Sequence, residues 1–330
     1  VTTHPKHDAL AMVAARYAVA ITPSMDALID ANDPNDPLAA QFLPDARELL
    51  TAPNENADPI GDFAHSPRKG LVHRYPDRVL LKIVHVCPVY CRFCFRRDMV
   101  GPEGDGALSD AALDEAMAYI SADSRIWEVI LTGGDPFVLS ARRVRTLMHK
   151  LGEIDHVKVV RWHTRVPLVD PLRVTPDFVD ALRTGDKAVW VALHANHPRE
   201  FTPAGKAALA RLSDGGVALV SQTVLLRGVN DHVETLDALM RAFVEHRVKP
   251  YYLHHLDAAE GTGHFRTSIE TGQALMRALH ARASGLCQPT YVLDIPGGAC
   301  KAPIGPSYLE PTANGWTVLD DAGRTFDYDV

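Results

Sequence analysis

Short apolar runs and longer stretches of helical periodicity alternate along the chain from Pro59 onward. The runs at 79–84, 128–132, 157–162, 188–193, 217–222, 251–254 and 291–295 have the length and apolar character of buried strands, with helix-like stretches between them. The pattern predicts six βα units and a terminal strand. Thr175-Pro176 and Thr202-Pro203 each set a hydroxyl N-cap before a proline at the first helical position, and Thr267 with Glu270 has capping-box character. Each helix must cross back over the sheet, so the strands are expected to lie parallel with right-handed crossovers. Two α/β architectures satisfy this, an open doubly wound sheet and a barrel.

Polar residues gather where the apolar runs end: a cysteine cluster after the first, Thr132-Gly-Gly-Asp135 after the second, His163 and Arg165 after the third, His194 after the fourth and Gln222 on the fifth. That end of the strands is where barrel enzymes build their sites. Residues 1–70 precede the series, carry a Pro/Asp/Asn-rich segment at 31–37, and are expected to wrap the core as an extension with a helix across 9–21. The 330 residues hold 34 Lys+Arg against 41 Asp+Glu, a formal charge of −7, which argues against nucleic-acid or membrane-surface binding. No apolar run approaches the roughly 18 residues of a membrane span, and no signal-peptide cleavage pattern follows the N-terminal stretch. Five cysteines, three of them within eight residues, suit a ligand cluster in a reducing compartment, so a cytoplasmic protein is expected.

Cys87-Pro-Val-Tyr-Cys91-Arg-Phe-Cys94 sets three thiolates on one loop. A structural zinc site or a simple electron-transfer cluster takes four protein ligands, so three leave one metal position open. A four-cysteine zinc site completed by Cys287 or Cys300 is the plainer alternative. The spacing, with an aromatic residue before the third cysteine, resembles the signature of the radical S-adenosylmethionine superfamily. That resemblance implies a [4Fe-4S] cluster on Cys87, Cys91 and Cys94. Its open iron would chelate S-adenosylmethionine, which the reduced cluster cleaves to a 5′-deoxyadenosyl radical. Thr132, Gly133, Gly134 and Asp135 resemble the superfamily's glycine motif, where backbone approaches the methionine amino group.

Asp294-Ile-Pro-Gly-Gly-Ala-Cys-Lys301 places a lysine at the end of a glycine-rich loop that lacks phosphate-loop spacing. This segment, with Ile21-Thr-Pro, His73-Arg-Tyr-Pro-Asp-Arg78, the cysteine loop, His194-Ala-Asn-His-Pro198, 221–231 and 251–267, makes nearly the whole chain resemble the lysine 2,3-aminomutase family. The resemblance implies a partial (β/α)6 barrel of parallel strands over 71–288, the N-terminal helical extension over 1–70, and a short C-terminal segment, 289–330, carrying Lys301. Lys301 would form the Schiff base with pyridoxal 5′-phosphate. Arg74, Arg78, Gln222 and His194 are the candidates to hold that cofactor or S-adenosylmethionine.

In the same reading Arg96, with Arg97 as its rival, pairs with the substrate carboxylate through a guanidinium fork. Asp257 and Asp294 match the two carboxylates that bind a side-chain ammonium; two such charges in one pocket call for a cation between them. Both positions being acidic favours L-lysine, converted to L-β-lysine, over glutamate. The alternatives are an aminomutase acting on a lysyl group of translation elongation factor P, one acting on another ω-amino acid such as ornithine, or a non-catalytic iron-sulfur or zinc protein. His232 stands where the clostridial type has a zinc-binding cysteine after Val-Asn-Asp, and no C-terminal cysteine cluster precedes Val330, so the structural zinc is expected to be missing. Cys300 and His254 are further departures. The implied partners are a small amino acid, an electron donor for the cluster and, as an open question, further copies of the chain.

Overall fold

The computed structural model describes residues 5–101, 106–320 and 323–329. Nine strands form one sheet in sequential order: β1 (Leu71–Tyr75), β2 (Arg78–Val84), β3 (Glu128–Gly133), β4 (Val159–Thr164), β5 (Ala188–His194), β6 (Ala218–Val224), β7 (Lys249–His254), β8 (Thr290–Asp294) and β9 (Lys301–Pro303). β2 to β8 run parallel, matching the seven expected strands, while β1 and β9 pair antiparallel on the two edges. The sheet is curled into a partial (β/α)6 barrel, and its edges approach one another where the Lys301 backbone N–H donates to the Tyr75 hydroxyl at 2.9 Å.

Among the described residues ten helices accompany it: α1 (Pro5–Arg16), α2 (Pro23–Asp26) and α3 (Pro37–Phe42) before the sheet, then α4 (Asp110–Ala122), α5 (Ala141–Gly152), α6 (Val166–Val169), α7 (Pro176–Leu182), α8 (Pro203–Asp214), α9 (Val233–Glu245) and α10 (Ile269–Arg282) in the crossovers. A three-stranded antiparallel meander, β10 (Leu309–Pro311), β11 (Gly315–Leu319) and β12 (Thr325–Asp329), follows the sheet.

β3 and β6 are buried almost without alternation, as parallel strands covered on both faces are, while β2, β4 and β5 alternate over part of their length, and the outer core is filled by apolar side chains from the crossovers, including Leu113, Leu147, Leu209 and Leu239. Thr175 and Thr202 cap α7 and α8 with their hydroxyls, as expected. The cap of α10 is Ser268, one residue after the expected Thr267, whose own buried hydroxyl has no partner among the described residues. α1 also stops at Arg16, short of the expected residue 21: beyond it the chain extends, so that the carbonyls of Ala18 and Ala20 can accept from the Arg92 guanidinium and the Tyr90 N–H.

α10 lies so close to β8 that a Cβ on Gly272 would come within 2.1 Å of the Tyr291 hydroxyl, which is itself hydrogen-bonded to His255 at 2.8 Å. Gly272→Ala is therefore expected to destabilise the fold by about 1–3 kcal/mol through overpacking. A lowered urea midpoint at unchanged slope checks this; an unchanged midpoint counts against such tight packing.

Candidate active site

The carboxyl-terminal ends of the parallel strands bring together most of the residues singled out in the sequence. Leaving β2, the chain forms an irregular loop carrying Cys87, Cys91 and Cys94, all free thiols. Burial pushes the Cys94 thiol up to about 11 and Cys87 well above its ordinary value, and the neighbouring thiols add to both effects. Cys87 and Cys94 thus resist ionisation on their own, and as thiolates they call for a cationic partner such as iron. Three free cysteines within eight residues of one loop fit three ligands of an iron–sulfur cluster.

Thr132, Gly133 and Gly134 press against the exit of β2. The Gly134 N–H donates to the Val84 carbonyl at 2.6 Å, and a Cβ on Gly134 would lie 2.3 Å from the Val86 carbonyl oxygen. Gly133, at φ +116°, would bring a Cβ equally close to the Val84 carbonyl. The Asp135 side chain turns away from this approach. Its Oδ1 accepts from the Phe137 N–H and the Thr164 hydroxyl, and its Oδ2 from the Arg165 N–H at 2.7 Å. It thus ties the end of β3 to the end of β4, a bracing contact that the motif alone did not show.

His163, His194 and Gln222 lie on β4, β5 and β6, with His194 in register with Gln222 and the His163 and His194 rings 5.7 Å apart. Burial, reinforced by Arg165, lowers His194 to about 3, and burial with Arg161 puts His163 well below its usual range, so both are neutral. Asp257 follows β7, and Asp294 is the last residue of β8. Asp294 accepts from Lys301 Nζ with both oxygens, at 2.7 and 2.5 Å, and lies 3.4 Å from His254 Nδ1. Burial opposes its ionisation, yet His254 and Lys301 hold it well below the usual carboxylate range. Asp257 is the reverse case: burial and then the Asp294 charge raise it to about 7, and its buried Oδ1 has no hydrogen-bond partner among the described residues.

On the other side of Lys301, Arg74 donates to the Ile60 carbonyl at 2.6 Å and to Asp62 at 3.2 Å, while its buried Nε has no partner among the described residues. Gly298, at φ +84°, allows this, since a Cβ there would meet Arg74 Nε at 2.8 Å. Arg96 donates through Nε to Asp62 at 2.9 Å, and Lys82 lies 3.9 Å from the same carboxylate. Burial alone would raise Asp62, but Arg96, Lys82 and Arg74 hold it below its ordinary value. Neither Asp62 nor Lys82 was evident in the sequence; a fully buried aspartate 34 positions from its arginine leaves no local signal.

The neighbouring Arg97 points the other way, pairing with Glu48 and stacking 3.5 Å over Tyr17, so Arg96 is the one that faces Lys301's surroundings. Arg78 is the first residue of β2, a strand's length from the cysteine loop. It pairs with Asp77 and stacks 3.7 Å over Tyr75, which reaches the Lys301 backbone.

The family model for the Radical SAM superfamily matches residues 81–240, spanning the cysteine loop and β2 to β6. L-lysine 2,3-aminomutase of Clostridium subterminale is 41 % identical over 307 residues, covering 93 % of this chain and 73 % of that protein. Glutamate 2,3-aminomutase of Clostridioides difficile is 34 % identical over 93 % of this chain and 72 % of its own length. L-lysine 2,3-aminomutase of Escherichia coli is 34 % identical over 87 % of this chain and 83 % of its own. Superfamily membership implies a [4Fe-4S] cluster and S-adenosylmethionine, and the cysteine loop fits the first of these. Among the described residues no helix is long and apolar enough to cross a membrane. With the cysteine loop, the glycine turn and the Lys301 strand set around one curled sheet, and with identity at this level across 93 % of its length, the chain belongs to the lysine 2,3-aminomutase family.

Proposed function

We propose that the chain converts free L-lysine to L-β-lysine by moving the amino group from C2 to C3. The observation that carries this reading is the carboxylate pair: Asp257 is buried, without a partner at Oδ1 among the described residues and raised to about 7, beside an Asp294 whose charge is balanced by Lys301 Nζ. When Lys301 releases Asp294, two carboxylates face one another without a cation, and a substrate ammonium supplies it. A glutamate side chain in the same place meets repulsion from both.

The residues around Lys301 also fit pyridoxal phosphate. Gly298 opens a cradle beside Arg74, whose buried Nε lacks a partner, and three cations surround the single carboxylate of Asp62. We assign Arg74, with Arg78 and Gln222, to the phosphate or ring of this cofactor. Bound there, pyridoxal phosphate supplies an imine π-system across which nitrogen can migrate, while the cluster and S-adenosylmethionine supply the radical. The chain's own part is placement. Arg96, held through Nε by Asp62, is assigned to the substrate carboxylate. The Asp257–Asp294 pair fixes the far end, so that C3 is held at one position.

Carbon-13-labelled L-lysine, incubated anaerobically with iron-loaded protein, pyridoxal phosphate, S-adenosylmethionine and a strong reductant, is expected to yield β-lysine resonances. Unchanged lysine with an intact cluster would overturn the free-lysine reading and move it to a lysyl group on elongation factor P or to ornithine.

A further inference from the structure

Arg165, at the end of β4, takes no part in the chemistry assigned above, yet it is buried and holds one of the cysteine sulfurs. Its Nη1 donates to Cys91 Sγ at 3.0 Å, while its Nη2 donates to Glu200 at 2.6 Å and to the Gln41 side-chain oxygen at 3.1 Å. The guanidinium is boxed by the rings of Phe42 and Phe93, 4.9 and 5.7 Å away, and its backbone N–H is fixed by Asp135. Glu200 cannot swing either, because its Oε1 accepts from the backbone N–H groups of Asn196 and His197, each at 2.9 Å. The pair is therefore a fixed dipole with its positive end on sulfur and its negative end turned away.

We propose that Arg165 is a tuning residue for the iron–sulfur cluster: its N–H on the Cys91 sulfur offsets the negative charge that the cluster gains on one-electron reduction. The proposal rests on the cluster held by Cys87, Cys91 and Cys94. Hydrogen bonds to cluster sulfurs and nearby charge are among the main determinants of cluster potential. The step concerned is the transfer of one electron from a low-potential donor to the oxidised cluster, with no bond made or broken and no proton moved. A cationic donor on sulfur favours the product of that step. The segment carrying Gln41 also accepts the Arg92 backbone N–H at 2.8 Å, so the N-terminal extension helps to aim the guanidinium at the cysteine loop.

The test is a redox titration of the reconstituted cluster followed by electron paramagnetic resonance, with iron and sulfide counted per chain, on wild type, R165Q, R165K and E200Q. No substrate turnover is needed. At the potential where the wild-type cluster is half reduced, R165Q is expected to lower the reduced-to-oxidised ratio about tenfold, which for one electron is ~59 mV. R165K falls between. E200Q is expected to shift in the opposite direction, because it leaves the guanidinium charge less compensated. A fully loaded R165Q cluster with an unchanged midpoint would overturn the proposal. So would R165Q and E200Q shifting the same way or losing iron together, since that is the behaviour of a brace alone. If R165Q does not fold, the sign for E200Q decides: upward supports the proposal, unchanged or downward rejects it.

Discussion

Asp257→Asn is expected to make the ligand-free protein more stable at pH 8, by about 2–4 kcal/mol, while lowering kcat/KM for lysine about 10²–10³-fold. The two effects have one origin. In the unfolded chain Asp257 loses its proton near 3.8, whereas in the folded protein burial and Asp294 delay this to about 7. The folded state thus binds more protons than the unfolded state across that interval, and this residue's contribution to stability falls as pH rises through it. Above about pH 7 the full cost of a buried, uncompensated carboxylate is present, and asparagine removes it. An ammonium ligand removes the same cost by pairing, which asparagine can no longer offer. The buried histidines 163, 194 and 254 slope the other way, since they are held neutral in the fold and bind protons when unfolded. The informative quantity is therefore the difference between variant and wild type in urea denaturation at pH 5 and pH 8. A variant no more stable than wild type at pH 8, or one with unaltered lysine kinetics, would contradict the reading of Asp257 as an ammonium site.

Gly134→Ala is expected to abolish cluster loading. The added carbon would lie 2.3 Å from the Val86 carbonyl oxygen and 2.6 Å from the Val86 nitrogen, both rigid backbone, and the next residue is Cys87. Relieving the clash requires a shift of about 1 Å in the chain that carries the first ligand, a displacement of the size that costs about 10²-fold in a reaction governed by placement. Iron and sulfide below one-tenth of the wild-type content after reconstitution, with little visible absorbance, would bear this out. A fully loaded variant would mean that the loop can move without harm.

The sheet was legible because parallel strands covered on both faces leave apolar runs of strand length, and all seven of those runs are strands in the structure. Its edges were not. β9 has three residues and β1 mixes Leu71 and Val72 with His73 and Arg74, too short or too polar to stand out. The site divides in the same way. The cysteine loop and Lys301 stand out because their spacing is local. The Glu48 contacts to Arg92 and Arg97 and the Asp62 contact to Arg96 span 34 to 49 positions and depend on how the N-terminal extension folds over the loop. Which of Arg96 and Arg97, adjacent and chemically identical, turns to Asp62 and which to Glu48 depends on that extension. Asp135 shows a different limit: its motif was evident, but its carboxylate turned out to join two strand ends.

Around Lys301 the cations Arg74, Lys82 and Arg96 outnumber Asp62 on one side, and Asp257 and Asp294 stand on the other, close enough for Arg96 and Arg74 to influence Asp257. The site therefore has an electrical polarity of its own within a chain of net charge −7. A molecule with a carboxylate at one end and an ammonium at the other experiences a torque before it makes any contact, turning end for end until its dipole opposes that of the walls. Screening shortens the reach of this field to about 8 Å at physiological salt, so the alignment belongs to the last step of entry and not to the approach from solution.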